Sequence, residues 1–358
     1  NDPRDPDFGV NNLLNYPVIL SANAAASVDG TVVSYTLDVQ PGTYRVEFFS
    51  VSEPDSSGHG EGRTHLSTAT VVVGSTPLTT VVVLPEVREG TLLTATASEV
   101  QRTTTSEFSA AFRVGPQLPP ATVRGRHVFY NGSAFDGYTI AANAADDRAI
   151  ATDKQALLPG QGAGTFANVI SAVQGLSGIM VDLQGMTPGT QVSASDFEFR
   201  SGAGGDPSTW GLVPYPPQVS VRRGAGVGGS DGVTLTWTPG LTHTWLEVTV
   251  LPTLRTGLEQ SDRFYFGSLV GDTGAGSAPL TVSPADFAAT RAAVGTTDAT
   301  VTNRFDHSRD GVVSPADVAI VRFNMARALE RINPAAPPTL PAAQEPLLPP
   351  RLMKELTT

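Results

Sequence analysis

The segment from Asp306 to Asp317 constrains the fold more than any other stretch, because it spaces oxygen-bearing groups as a twelve-residue calcium loop does. At positions 1, 3, 5, 7, 9 and 12 stand Asp306, Ser308, Asp310, the carbonyl of Val312, Ser314 and Asp317. Gly311 stands at position 6, where the chain must turn sharply and a Cβ would clash. His307 falls at position 2, where we expect the side chain to point outward. The spacing predicts a calcium site rather than an ordinary Asx/Gly turn before a helix.

A second copy of this unit lies 31 residues earlier, since Val282–Arg291 aligns with Val313–Arg322. Each copy has its own helix-start signal, with serine at the N-cap, proline at N1 and aspartate at N3. The first loop is three residues longer, and Asp272 and Asp286 are its only obvious carboxylate ligands. The sequence therefore predicts calcium in the second loop and leaves the first loop open.

The duplicated unit, with aspartate rather than glutamate at position 12, resembles a dockerin type I module. The resemblance implies that the two helices present a surface to a cohesin-like partner. Aligned on the family pattern, the partner-facing positions are Pro315, Ala316, Arg322 and Phe323. The first two differ from the Ser/Thr-type pair that is usual in the family, so two interpretations stay open. The unit is either an interaction module or a structural cap on the neighbouring domain.

Composition narrows the classes of partner. The net charge of −11 disfavours nucleic acid and anionic membranes, and it suits a protein that concentrates divalent cations. The chain has no cysteine, and it has no run of 18 apolar residues that would insert into a membrane. It begins Asn-Asp-Pro without an initiator Met or a signal peptide, which is typical of a processed product or the C-terminal part of a longer protein.

The remaining sequence predicts a mostly β protein. Short Val/Thr/Phe runs such as Thr31–Val39 and Thr43–Ser50 are separated by turns, as in β-sandwiches (Ig-like or jelly-roll-like). We predict an acidic arm at 1–12, a first sandwich at 13–115, a Pro-rich linker at 116–121, a second β-sandwich module at 122–270, the small α-helical dockerin-like unit at 271–333 and a Pro-rich tail at 334–358. The arm contains three aspartates, Asp2, Asp5 and Asp7. They could bind calcium, or the arm could be a solvated terminus.

Both β regions resemble modules of large secreted bacterial surface proteins. In the first region the resemblance to an immunoglobulin-like repeat is carried by Arg45-Val-Glu-Phe-Phe49, Gly58-His-Gly60-Glu-Gly62, Leu92-Leu-Thr-Ala-Thr-Ala97 and Thr105-Ser-Glu-Phe108. In the second it is carried by Phe129-Tyr-Asn-Gly-Ser-Ala-Phe135-Asp136, Ala145–Lys154, Gly178-Ile-Met-Val-Asp182 and Phe264-Tyr-Phe-Gly267. In such proteins the second module directly precedes a dockerin-like pair. The resemblance implies a structural or adhesive spacer rather than a catalyst.

Several patterns keep an enzymatic or sugar-binding alternative open. Asp196 and Glu198 could form a glycosidase pair or a solvated strand face. Trp245 could offer a platform for sugar rings or pack at a sheet edge. His59, Glu61 and His65 form a weak metal pattern, and Ser230 lies in a Gly-x-Ser-x-Gly sequence that precedes a strand rather than a helix.

The sequence as a whole predicts a non-catalytic, extracellular, cell-surface protein of bacterial type that binds Ca²⁺. The expected partner is a cohesin-like protein, a neighbouring domain, another surface protein subunit or a polysaccharide. A glycoside hydrolase that carries a dockerin is the alternative.

Overall fold

The computed structural model describes residues 1–3, 13–25, 29–53, 56–102, 104–276 and 280–336. The predicted acidic arm lies mostly outside these ranges, including Asp5 and Asp7, and so do residues 337–358 of the predicted tail. The described residues form two β-sandwiches followed by two short α-helices, which confirms the predicted fold class. No helix within these ranges is long and apolar enough to cross a membrane.

The first sandwich is built from eight strands. They are β1 (Val18–Ala25), β2 (Thr31–Leu37), β3 (Gly42–Val51), β4 (Thr64–Val73), β5 (Leu78–Leu84), β6 (Leu92–Glu99), β7 (Phe112–Arg113) and β8 (Gly115–Leu118). One sheet has the order β5-β2-β1-β8 and the other β4-β3-β6-β7. On β3 the alternation of Tyr44, Val46 and Phe48 buries one face, as the sequence predicts, and these residues share a core with Tyr35 of the facing sheet.

The predicted linker at 116–121 is wrong in its first half. Residues 115–118 form β8, which pairs in parallel with β1 at the edge of its sheet. An edge strand tolerates Pro116, because its missing N–H is not needed by an inner neighbour. Asn23 Nδ2 donates to the Pro116 carbonyl at 2.9 Å, and β9 begins at Thr122. Only three residues therefore separate the two sandwiches.

The second sandwich follows directly. Its strands are β9 (Thr122–Phe129), β10 (Val169–Ile170), β11 (Leu176–Gln184), β12 (Phe197–Gly202), β13 (Gly211–Leu212), β14 (Gln218–Arg222), β15 (Asp231–Leu241), β16 (Thr244–Val250) and β17 (Asp262–Ser268). The sheets have the orders β14-β15-β11-β9 and β10-β17-β16-β12-β13. Their inner faces share a core that includes Ile179, Leu235, Trp237 and Val248.

The α-helices are α1 (Pro284–Ala292) and α2 (Pro315–Phe323), each placed where the duplicated sequence predicts a helix start. Both are only nine residues long. Helices of this length are marginal in isolation, so their stability must come from caps and from packing.

Candidate calcium-binding loops

The two copies of the loop-helix unit pair with each other reciprocally. Val282 N–H donates to the carbonyl of Arg327, and Val313 N–H donates to the carbonyl of Thr296, both at 2.9 Å. In return, Ala326 N–H donates to Val282 and Gly295 N–H to Val313, again at 2.9 Å. The partners in each pair are offset by the 31 residues that separate the copies in sequence. The duplicated sequence is therefore matched by reciprocal hydrogen bonds, in which each copy pairs with the segment that follows the other copy's helix.

Each helix begins with a capping box that includes the last predicted calcium ligand. Ser314 Oγ accepts from Ala316 N–H at 3.1 Å, and Asp317 Oδ2 accepts from Ser314 N–H at 2.9 Å. The other oxygen, Asp317 Oδ1, accepts from Ser308 N–H at 2.9 Å. Asp317 thus caps its helix from position N3 and also accepts a hydrogen bond from the backbone of the loop. Asp286 caps α1 in the same way, at 2.8 Å from Ser283 N–H.

Asp306 is the buried centre of the second loop. Its carboxylate accepts from Arg309 N–H at 2.7 Å and from Gly311 N–H at 3.0 Å, while Ser308 Oγ donates to it at 3.2 Å. Gly311 has φ +87°, a left-handed conformation that glycine adopts without a Cβ penalty. Burial raises the pKa of Asp306, and the charge of Asp317 raises it further. The loop therefore holds two fully buried carboxylates close together.

The predicted ligands of the second loop fit calcium only in part. Asp306, Ser308 and Asp317 surround one buried region, whereas Asp310 is exposed and its Oδ1 accepts from Val312 N–H at 2.9 Å. That bond leaves the second oxygen of Asp310 available. Across the described residues, no three His, Asp or Glu side chains form a ready-made metal cluster. The donor set is all oxygen, which is the set that Ca²⁺ prefers.

The first loop contains an unpaired buried oxygen. Asp272 is 1% exposed; its Oδ1 accepts from Gly274 N–H at 2.8 Å, and its Oδ2 has no hydrogen-bond partner among the residues that the structure describes. Asp286 accepts from the N–H of Thr273 at 2.9 Å and from its hydroxyl at 2.7 Å. Burial raises the pKa of Asp272 to about 6, and the nearby Asp286 adds to the shift. Two ionised carboxylates cannot donate a hydrogen bond to each other, so they repel. Binding of a cation between Asp272 and Asp286 would therefore be favourable.

The second loop is docked on the second sandwich, and the outward orientation predicted for His307 is wrong. Its imidazole is fully buried, with Nδ1 donating to the Ser171 carbonyl at 3.2 Å and Nε2 lying 3.3 Å from Thr290 Oγ1. Burial lowers the pKa of His307 to about 4, so the ring is neutral and Nε2 accepts from the threonine hydroxyl. Side-chain periodicity in an isolated loop gives no signal of this tertiary contact.

Backbone carbonyls of the same loop face the sandwich. The carbonyls of His307, Ser308 and Arg309 accept from Val173 N–H at 2.9 Å, from Gln174 Nε2 at 2.7 Å and from Ala134 N–H at 2.9 Å. Three consecutive carbonyls are therefore bound by two segments of the second sandwich.

The helical unit and the second sandwich also share a hydrophobic core. Trp245, Tyr265 and Leu269 of the sandwich pack with Val282, Val321, Leu329 and Ile332. Trp245 Nε1 donates to the Glu330 carbonyl at 2.8 Å. The exposed sugar platform considered for Trp245 is therefore wrong, because the ring is fully buried under the chain that leaves α2.

Other candidate residues have structural partners. Asp196 is buried with Arg255 and Thr253, while Glu198 pairs with Arg200 at 2.7 Å near the surface. Ser230 is buried, and its hydroxyl donates to the Val227 carbonyl at 2.8 Å before β15 begins. His59 lies against Tyr16, and His65 lies against Thr68. The paired acids are thus engaged separately rather than facing one cleft.

No family model matches the chain, and no curated protein does. One similar solved structure is the BSP domain of a biofilm-associated protein, with 16% identity, coverage of 66% of this chain and 27% of that chain, and a TM-score of 0.21. Another contains the FN1–FN3 domains of chicken CNTN1, with 13% identity, coverage of 71% and 68%, and a TM-score of 0.22. At these TM-scores the similarities do not define a shared fold.

Proposed function

We propose that the chain is a non-catalytic, extracellular, modular protein in which calcium fixes a dockerin-like pair of loops as a structural cap on the second β-sandwich. The observation that supports this best is the buried contact of the second loop with the sandwich, through His307 and three consecutive carbonyls. A freely presented dockerin-like unit would not need these bonds. The two sandwiches then serve as spacer or adhesive units of a cell-surface protein.

The proposed calcium ligands come from the two loops themselves. Asp306, Ser308, Asp310, Val312, Ser314 and Asp317 would hold an ion in the second loop, and Asp272 and Asp286 would hold one in the first. A bound Ca²⁺ offsets the charge of carboxylates that are buried without an ion pair. The capping boxes already orient Asp286 and Asp317, so the ion stabilises the start of each helix as well as its loop.

The test is thermal unfolding of the full chain in calcium and in EDTA. The wild type should melt several degrees higher in calcium, because an ion that binds only the folded state stabilises it. Asp306→Ala should lower the number of bound calcium ions by one and reduce this difference. Asp298→Ala, which removes an exposed aspartate of the same unit, is the matched control and should match the wild type. A wild type with no bound calcium and equal melting in both buffers would refute the proposal.

A second candidate function is recognition of a cohesin-like partner by α2. Its support is that Pro315, Ala316, Arg322 and Phe323 are all exposed, and that Phe323 is 87% exposed at the end of the helix. These residues lie away from the docked side, so a cap and a partner surface are compatible. Binding to a panel of immobilised cohesin modules, lost in Phe323→Ala but kept in Val294→Ala, would support recognition. If the chain binds none of the modules, recognition of a cohesin-like partner is rejected and only the structural-cap function is retained.

A further inference from the structure

A second group of buried oxygens lies outside the duplicated unit, in the segment between β9 and the short 3-10 helix at Ala144–Ala149. Asn131, Asp136 and Asp146 are 5%, 1% and 0% exposed. The segment is closed at both ends, since Tyr130 N–H donates to the Ala149 carbonyl at 3.1 Å. Three polar side chains are therefore enclosed in one short stretch of the second sandwich.

Backbone amides hold the two carboxylates in place. Asp136 accepts from Gly132 N–H at 2.6 Å and from Ser133 N–H at 2.9 Å, directly after Asn131. Asp146 Oδ2 accepts from Asn143 N–H at 2.8 Å as part of a capping box. The carboxylates lie close enough for the charge of Asp136 to raise the pKa of Asp146, in addition to the larger effect of burial.

Two oxygens of this group have no partner. Asp146 Oδ1 and Asn131 Oδ1 are both buried and accept no hydrogen bond from the described part of the chain. The orientation of the Asn131 amide is set by its Nδ2, which donates to the Ile140 carbonyl at 3.1 Å, so the orphan atom is the oxygen. A buried polar atom without a partner costs about 1–3 kcal/mol, so native proteins usually supply a water, an ion or a protein group to it.

The negative charge of the group is only partly offset, since the charge of Arg222 lowers the pKa of Asp146. Neither Asp136 nor Asp146 forms an ion pair with a cationic side chain of the described residues. Arg222 forms its salt bridge with the neighbouring Asp147 instead. Buried carboxylates normally have a partner of opposite charge or bind a metal.

We propose that Asn131, Asp136 and Asp146 form a calcium site within the second sandwich, separate from the two dockerin-like loops. An amide oxygen, carboxylate oxygens and nearby backbone carbonyls are ligands of a hard cation and would not select a transition metal. Bound calcium would satisfy both orphan oxygens and offset the charge of the two aspartates.

The site would also support the interface with the helical unit. Ala134, between Asn131 and Asp136, donates its N–H to the Arg309 carbonyl at 2.9 Å. Calcium bound here would fix the segment on which the second dockerin-like loop rests. The site does not require calcium in that loop, so the two proposals can fail independently.

The experiment compares Asp146→Asn with the wild-type full chain by bound-calcium analysis after dialysis and by melting in calcium and in EDTA. The substitution keeps an oxygen for the cap and removes the buried charge. We expect the loss of one calcium per chain, a lower melting temperature than wild type in calcium, and an equal or higher one in EDTA. Asp147→Asn changes the adjacent, surface-paired carboxylate and should leave the calcium number unchanged.

A second variant keeps the test informative if Asp146→Asn does not fold. Asn131→Ala removes the orphan amide oxygen without changing the charge, and it should also lose one calcium. Asp306→Ala, in contrast, should retain this ion and lose the one in its own loop. An unchanged calcium number in both Asp146→Asn and Asn131→Ala would overturn the proposal and indicate a buried water at the two oxygens.

Discussion

The guanidinium of Arg309 lies 3.9 Å from the centroid of the Tyr130 ring, and its Nη2 donates to the Tyr130 hydroxyl at 2.8 Å. Arg309 belongs to the second of the duplicated loops and Tyr130 directly follows β9, so the contact joins the helical unit to the second sandwich. Nη1 donates to the carbonyls of Val301 and Asn303 at 3.2 and 2.7 Å. An arginine that is 1% exposed is thus held by carbonyls and a ring instead of a carboxylate.

Arg309→Met should destabilise the chain by about 2–3 kcal/mol, because it leaves two partly buried carbonyls and the buried Tyr130 hydroxyl without their donor. Tyr130→Phe keeps the ring and removes only the hydroxyl, so its cost should be about 1–2 kcal/mol. Urea unfolding of both variants measures the difference. Equal stability of Arg309→Met and wild type would show that the loop does not depend on this contact.

Trp245→Phe should cost about 1–3 kcal/mol, because the smaller ring leaves a cavity and the Glu330 carbonyl loses its 2.8 Å donor. Leu212→Ala is the control, since Leu212 is 63% exposed and its loss should change stability by less than about 0.5 kcal/mol. Chemical unfolding in calcium provides both values. Binding of a glycan that depends on Trp245 in the folded wild type would contradict the buried position.

Asp196→Asn should destabilise the second sandwich by about 1–2 kcal/mol at neutral pH, because it weakens the charge-assisted hydrogen bonds between the buried Asp196 and Arg255, whose side chain is 40% exposed. Burial alone would raise the pKa of Asp196, but hydrogen bonds from Arg255, Ser193 N–H and Thr253 outweigh this effect and lower the pKa below its usual value. This contribution to stability is therefore present above the unfolded-state pKa and is lost as pH falls through the folded-state value.

The pH dependence of unfolding distinguishes the Asp196–Arg255 pair from the neighbouring Glu198–Arg200 pair. The difference in the free energy of unfolding between the wild type and Asp196→Asn should be constant near neutral pH and should decrease below about pH 4. Glu198→Gln removes the partly exposed pair with Arg200 and should cost no more than about 0.5 kcal/mol. If this difference does not change with acidification, the contribution of Asp196 to stability does not depend on its ionisation.

Gly311→Ala should destabilise the second loop by about 1–2 kcal/mol, because an L-residue is strained at φ +87°. No atom lies within 4 Å of the added Cβ, so the effect is conformational and not steric. Calcium titration followed by melting should show a weaker affinity than wild type. Gly74→Ala has similar open space without the left-handed φ and should bind calcium normally. Equal affinity of Gly311→Ala and wild type would exclude a role for this turn in the site.

Local sequence patterns predicted the elements that have local causes. The alternation on β3 and the Ser-Pro-x-Asp starts of α1 and α2 are realised as predicted, because side-chain period and capping act within a few residues. β1 was not predicted, since its run Val18–Ala25 contains serine, asparagine and alanines that give a weak strand signal. β8 was read as a linker because its pairing depends on a strand some 90 residues earlier.

The sequence by itself determined that the chain is mostly β, that it contains a duplicated loop-helix unit, and which residues of each loop carry side-chain oxygens. Those features depend on residue type and short-range spacing. Only the tertiary structure decided that His307, Arg309 and Trp245 are buried between this unit and the second sandwich, and that Asn131 and Asp146 keep unpaired oxygens. Burial and hydrogen-bond satisfaction depend on atoms brought from distant positions, and no local pattern of residues encodes them.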